Sequence, residues 1–294
     1  MALTRASVKP WVLASRPKTL TAAVVPVLVG VALATGQGDF APVPALVTLF
    51  CAVCIQIGTN FANDVYDFKK GADIARVGPT RVTTAGLLSP HAVEVGTWVV
   101  FGLAAVAGLY LVTVGGWPIL VIGIASILAG LAYTAGPYPL GYNGLGDVFV
   151  FLFFGLAGVV GTYYLQTHTW TLAAVVAAVP VGALVTNIIV VNNLRDVDTD
   201  RVVGKRTLAV LIGKDSARIE YIVLAVVAYA APVFLWLTGG ASLWALLPLL
   251  TLPLTVRLVR DLYVLRGPAL NKALGGTSQL VGLFGVLFAL GLLF

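Results

Sequence analysis

Residues 43–73 read VPALVTLFCAVCIQIGTNFANDVYDFKKGAD. The run from Val43 to Gly58 is apolar, and directly after it Asn60, Asn63, Asp64 and Asp67 fall at i, i+3, i+4 and i+7. On a helix those four side chains share one face, which is polar and acidic. An apolar span that ends in an acidic helical face predicts a helix that leaves a membrane at a polar site.

The rest of the chain carries that reading outward. Of its 294 residues 59% are hydrophobic and only 10% charged, with a mean hydropathy of +0.99. A soluble domain does not have this composition. Crossing the hydrocarbon takes roughly 20 apolar residues per helix. The expected fold class is therefore an all-α multi-pass membrane protein in one bundle, with about nine spans at 20–36, 43–63, 91–114, 117–135, 147–165, 170–193, 217–238, 242–256 and 275–293. Only short connections are left, so residues 1–294 are expected to form a single integral-membrane domain. The first apolar segment lacks a fitting cleavage site and is read as a retained helix.

Charge fixes the orientation. Arg5, Lys9, Arg16 and Lys18 precede the first span, and Lys69, Lys70, Arg76 and Arg81 follow the second. Arg195, Arg201, Lys205, Arg206, Lys214 and Arg218 surround the turn after the sixth, and Arg257, Arg260, Arg266 and Lys272 follow the eighth. These groups hold all 18 basic residues, and an even number of spans separates each from the next. By the positive-inside rule that side is the cytoplasm, with the N-terminus inside and the C-terminus outside, in a plasma membrane. The net charge of +6 is thus explained by topology, and nucleic acid is not an expected partner. Trp117, Tyr163, Tyr164 and Trp170 fall at the expected outer ends of spans, where amphipathic rings settle. Cys51 and Cys54 lie inside an apolar span and are read as small buried residues, while His91 and His168 are read as solvated span ends.

A second polar face repeats the first. In VVNNLRDVDTD, Asn192, Asp196 and Asp200 stand at i, i+4 and i+8, so the polar motifs occupy 60–73 and 187–200. Four spans lie between them, and an even number returns the chain to the same side. Both faces are expected to meet over a cytoplasmic-facing cavity, as in a parallel internal repeat. Isolated acids such as Asp39, Glu94, Asp198, Asp215, Glu220 and Asp261 are read as solvated charges.

Asn and Asp oxygens are hard ligands, which select Mg²⁺ over zinc or copper. Mg²⁺ binds through one or two carboxylates plus substrate phosphates, so each face could hold one ion and two ions would clamp a diphosphate. Lys69, Lys70, Arg76, Arg81, Lys205 and Arg206 would supply further cationic donors. A diphosphate beside a greasy cavity points to an allylic prenyl diphosphate. Its departing head would be stabilised electrostatically, and the carbocation would be shielded by aromatic faces such as Tyr133 or Tyr138. A cation transporter is the competing reading, but transporters place such acids near the bilayer midplane.

At these residues the chain resembles the UbiA superfamily of intramembrane aromatic prenyltransferases. The pattern N-x-x-x-D-x-x-x-D is met by Asn192, Asp196 and Asp200, and its first two positions by Asn63 and Asp67. Gly71 stands at the third position of the first motif, with Asp73 two residues on. This variant resembles the branch that prenylates 1,4-dihydroxy-2-naphthoate in menaquinone biosynthesis, as do the stretches NNLRDVDTDRVVGKRTLAV, GLGDVFVFLFFG and GTYYLQT. The resemblance implies metal ligation by Asn63, Asp64, Asp67, Asp73, Asn192, Asp196 and Asp200, with Asp67, Asp196 and Asp200 central to catalysis. It further implies diphosphate contacts from Lys70, Arg76, Arg81, Lys205 and Arg206. The implied reaction transfers a polyprenyl group from its diphosphate to 1,4-dihydroxy-2-naphthoate with loss of CO₂, giving demethylmenaquinone; another quinone precursor is the alternative acceptor.

Overall fold

The computed structural model describes residues 8–72 and 78–294, and among these every regular element is helical. Asp73 and Arg76, both expected at the site, lie outside the described residues. The helices are α1 (Val8–Ser15), α2 (Thr21–Gly36), α3 (Pro42–Lys69), α4 (Pro90–Gly115), α5 (Trp117–Ala132), α6 (Gly146–Val150), α7 (Gly161–Thr167), α8 (Leu172–Val202), α9 (Leu208–Ile212), α10 (Lys214–Leu237), α11 (Leu252–Val264) and α12 (Leu270–Leu292). A π-helical segment, Phe151–Val160, joins α6 to α7, and a 3₁₀ stretch, Leu243–Thr251, leads into α11.

Seven of these helical stretches are long and apolar enough on their own to cross a membrane. Two expected spans differ from that pattern. The first is a broken helix, in which Val8–Thr19 and Thr21–Gly36 meet at 52°. Arg16, in the left-handed region at φ 50°, stands just before that break. The fourth, Trp117–Ala132, has 16 residues and stops short of the expected 135, giving a rise of about 24 Å, less than the hydrocarbon thickness. In contrast α3 and α8 run well past their expected ends at 63 and 193, to Lys69 and Val202. At 1.5 Å per residue the 31 residues of α8 rise about 46 Å, so the second polar motif rides on a rigid helix beyond the hydrocarbon.

Burial identifies α8 as the axis of the bundle. Its apolar side chains from Ala174 to Val197 join α2, α10 and α12 in the main core, which includes Val29, Leu184, Tyr221, Phe284 and Phe288. Close approach of the π-helical segment depends on glycine. A Cβ on Gly155 would lie 2.8 Å from the Cα of Gly182, so the two backbones touch where any side chain would separate them. A smaller cluster, Ala14, Phe61, Val65, Val82 and Val93, ties α1, α3 and the loop before α4 together. Cys51, Leu111, Ile119 and Leu165 form a third, between α3, α4, α5 and α7. Both cysteines are free and buried, consistent with the packing role expected of them.

Candidate functional site

The first polar face divides its work. Asn60 is buried, and its Nδ2 donates to the Ser15 carbonyl at 2.9 Å, fastening α3 to the C-terminal end of α1. Asp64, only 1% exposed, turns towards the loop that precedes α4. Its Oδ2 accepts from the Val82 amide at 3.1 Å and its Oδ1 from the Thr83 amide at 2.9 Å. Asp67, one turn further, accepts from Arg81 Nη2 at 2.8 Å through Oδ2 and from the Tyr142 hydroxyl at 2.7 Å through Oδ1. Arg81, expected as a diphosphate donor, is therefore a buried partner of an acidic residue.

The segment after α5 connects this face to the membrane interior. Thr134 donates its hydroxyl to Asn63 Oδ1, and its carbonyl accepts from Lys70 Nζ at 2.7 Å. Burial lowers the Lys70 ammonium from the ordinary lysine value, and the charge of Asp67 opposes that shift. The residue before Thr134 is Tyr133, whose ring lines an apolar cavity of about 420 Å³ between α2, α3, α4, α5 and the helix that follows Gly146. Phe149 and Phe153 line the same cavity. Tyr138, proposed from sequence for the same shielding role, is 63% exposed and is not part of the cavity wall.

The second face is held by an arginine of its own. Arg195 donates to both oxygens of Asp196, Nε to Oδ1 at 2.7 Å and Nη2 to Oδ2 at 2.5 Å. The same guanidinium reaches Asn192 Oδ1 at 2.9 Å and Asn271 Oδ1, on α12, at 2.7 Å. Asp200, one turn on, stands 3.9 Å from Lys205 Nζ. Arg206 is exposed and meets the first half of the chain through its backbone, the amide donating to the Tyr142 carbonyl at 3.0 Å. Of the isolated charges, Asp198 pairs with Lys214 at 2.7 Å and Glu94 with Lys69 at 2.8 Å, each partly in solvent, whereas Glu220, expected to be solvated, is part-buried.

Two expectations meet here. Tyr142 contacts both Asp67 of the first motif and Lys205, which stands 3.9 Å from Asp200 of the second, so the motifs do emerge at one end of the bundle. Tyr133, the neighbour of Thr134, also lines the apolar cavity and so borders both that end and the cavity. Sequence reasoning missed Tyr142, Thr134 and Arg195. Arg195 had a signal, since it lies within the second motif and three residues from Asn192; Tyr142 and Thr134 sit in a turn with no periodicity to mark them.

Among the described residues no three His, Cys, Asp or Glu side chains gather as a ligand set. The donors present are carboxylate and amide oxygens divided between two faces. That chemistry fits Mg²⁺, which completes its shell with phosphate oxygens and water. Each hydrogen-bonded carboxylate oxygen of Asp196 retains a second lone pair for such an ion.

Residues 23–275 match the UbiA prenyltransferase family. The chain is 38% identical over 292 residues to a protein of Escherichia coli (strain K12) named 1,4-dihydroxy-2-naphthoate octaprenyltransferase, covering 96% of this chain and 94% of that one. It is 34% identical over 296 residues to a protein of the same name from Haemophilus influenzae, covering 97% and 96%. A solved structure of a UbiA homolog from Archaeoglobus fulgidus, bound to GPP and Mg²⁺, shares the fold with a TM-score of 0.67 at 14% identity, over 97% of this chain and 99% of that one.

Proposed function

The chain belongs to the UbiA prenyltransferase family, an integral membrane protein of that fold, and on this premise we propose how its residues carry out prenyl transfer. It transfers a polyprenyl group from an allylic diphosphate to 1,4-dihydroxy-2-naphthoate. One observation supports this reading above the others: two polar motifs over a hundred residues apart share one end of the bundle, beside an apolar cavity whose lining includes Tyr133, the neighbour of Thr134. A cation transporter has no use for such a cavity.

The residues divide the task. Asn63 and Asp67 on α3, and Asn192, Asp196 and Asp200 on α8, would hold Mg²⁺, one ion per face, with Asp73 a further candidate. Asp64 we place outside this set, because its carboxylate is committed to the loop that carries Arg81. Lys70 and Lys205 flank the site and would donate to the diphosphate, with Arg76 and Arg206 as further candidate donors. Arg81 orients Asp67 and Arg195 orients Asp196. Bound Mg²⁺ supplies charge stabilisation to the leaving diphosphate.

The prenyl tail lies in the cavity, and Tyr133 faces its reacting end. The allylic C–O bond breaks and its electron pair leaves with the diphosphate. The ring carbon that bears the carboxylate forms the new C–C bond. Loss of CO₂ returns an electron pair to the ring and restores aromaticity, so the carbon skeleton of demethylmenaquinone results without an added oxidant. Apolar walls keep water from the cation. Residues 1–294 act as one domain, with the polar end and the N-terminus towards the cytoplasm and Phe294 outside, an orientation the distribution of Lys and Arg supports.

The deciding experiment is product mass. Detergent-solubilised protein is incubated with a long prenyl diphosphate and Mg²⁺, with dihydroxynaphthoate and 4-hydroxybenzoate in competition. A decarboxylated prenyl-naphthoate that disappears on adding EDTA is the expected outcome. Prenylated hydroxybenzoate would overturn the acceptor, and EDTA-insensitive transfer the metal.

A further inference from the structure

Tyr142 touches both halves of the polar end. Its hydroxyl donates to Asp67 Oδ1 at 2.7 Å. Its ring carries the Lys70 ammonium 4.7 Å from the centroid and the Lys205 ammonium 5.1 Å from it, one lysine within the first motif and one in the turn that follows the second. The backbone that presents it is pinned on several sides. The Gly141 amide donates to the Tyr133 carbonyl at 2.9 Å, the Arg206 amide donates to the Tyr142 carbonyl at 3.0 Å, and Asn143 Nδ2 closes the turn onto the Pro139 carbonyl at 2.8 Å. A side chain held this firmly is a strut, since moving it disturbs α5, the turn and the loop after α8 together.

Two physical effects act through the one residue. A hydrogen bond to one oxygen of a ligating carboxylate fixes which lone pairs face an ion, and loss of such an outer partner typically weakens metal binding about 10- to 100-fold. A tyrosine face within about 6 Å of an ammonium attracts it without neutralising it. Two lysines from distant parts of the chain are therefore both drawn to one ring.

We propose that Tyr142 is a positioning residue that sets the metal site and the diphosphate-binding lysines as one unit: its hydroxyl orients Asp67 and its ring spaces Lys70 and Lys205. This rests on the reading of the polar end as a metal–diphosphate site. Nothing in the pattern of spaced Asn and Asp residues would have selected it, because it belongs to neither motif.

The test separates ring from hydroxyl. Full-length protein in detergent is titrated calorimetrically with Mg²⁺ in the presence of inorganic pyrophosphate, and with pyrophosphate at saturating Mg²⁺. Tyr142→Phe keeps the ring and its volume; Mg²⁺ affinity is expected to fall about 10-fold or more, with pyrophosphate affinity at saturating Mg²⁺ within about twofold of the parent. Tyr142→Leu is expected to lose both. Parental Mg²⁺ affinity in Tyr142→Phe would overturn the role of the hydroxyl, and equal behaviour of Phe and Leu variants the role of the ring. If the parent protein binds no Mg²⁺ and pyrophosphate at all, the functional reading itself falls, and this inference with it.

Discussion

Arg195 grips Asp196 through two hydrogen bonds, at 2.7 and 2.5 Å, and the arginine side chain has no exposed surface. Removing one member of such a pair leaves the other charged and buried, which costs about 3–5 kcal/mol. Arg195→Ala is expected to lower the melting temperature of the detergent-solubilised protein and to abolish transfer. Asp196→Ala and Asp67→Ala are each expected to cost about two orders of magnitude or more in turnover, the scale of losing one preorganised electrostatic group. A variant of either aspartate with parental turnover would remove it from the metal site.

Asp64 and Asp67 lie three residues apart on one helix, yet they should fail differently. Asp64 holds the Val82 and Thr83 amides, and orphaning buried donors costs about 1–3 kcal/mol. Asp64→Ala is expected to destabilise the protein and loosen the loop that bears Arg81, while Mg²⁺ affinity of the folded fraction changes little. Hydrogen exchange at residues 79–88 reads the loop directly. A large loss of Mg²⁺ binding with unchanged exchange would return Asp64 to the ligands.

Tyr133 presents its ring to the cavity, and its hydroxyl abuts Gly146, where a Cβ would come within 2.9 Å. If the ring shields an allylic cation, the aromatic face matters and the hydroxyl does not. Tyr133→Phe should keep turnover within a few-fold. Tyr133→Leu should lower kcat about 10-fold or more, an effect on the order of 1–2 kcal/mol of cation–π stabilisation. Equal losses in the two variants would point instead to the hydroxyl.

Gly155 tests the architecture rather than the chemistry. With the Cα of Gly182 only 2.8 Å from a modest added Cβ, Gly155→Leu must push the π-helical segment off α8. Overpacking of this kind costs about 1–3 kcal/mol, and more where two backbones are in contact. The variant is expected to unfold at lower temperature and to aggregate in detergent. Gly102, where an added Cβ meets nothing within 4 Å, is the matched control, and Gly102→Leu should leave stability unchanged or raise it, since glycine is a poor helix former.

Much of this protein was legible in its sequence because the deciding signals are local. Hydropathy gives the spans, since a lipid solvent demands long apolar helices, and helical period puts Asn63 and Asp67, or Asn192 and Asp196, on one face. Parity of the spans and the placement of lysine and arginine brought both motifs to one end before any coordinates. Period says nothing of what a side chain meets across space. Arg81 lies 14 residues from Asp67, Tyr142 lies 75 from it, and Asn271 lies 76 from Arg195. Only packing of the helices decided that Asp64 serves a loop, that Tyr133 and not Tyr138 faces the cavity, and that a tyrosine from neither motif stands between them. Those outcomes depend on which distant segments fill the space around each helix end, a three-dimensional condition that no spacing along the chain encodes.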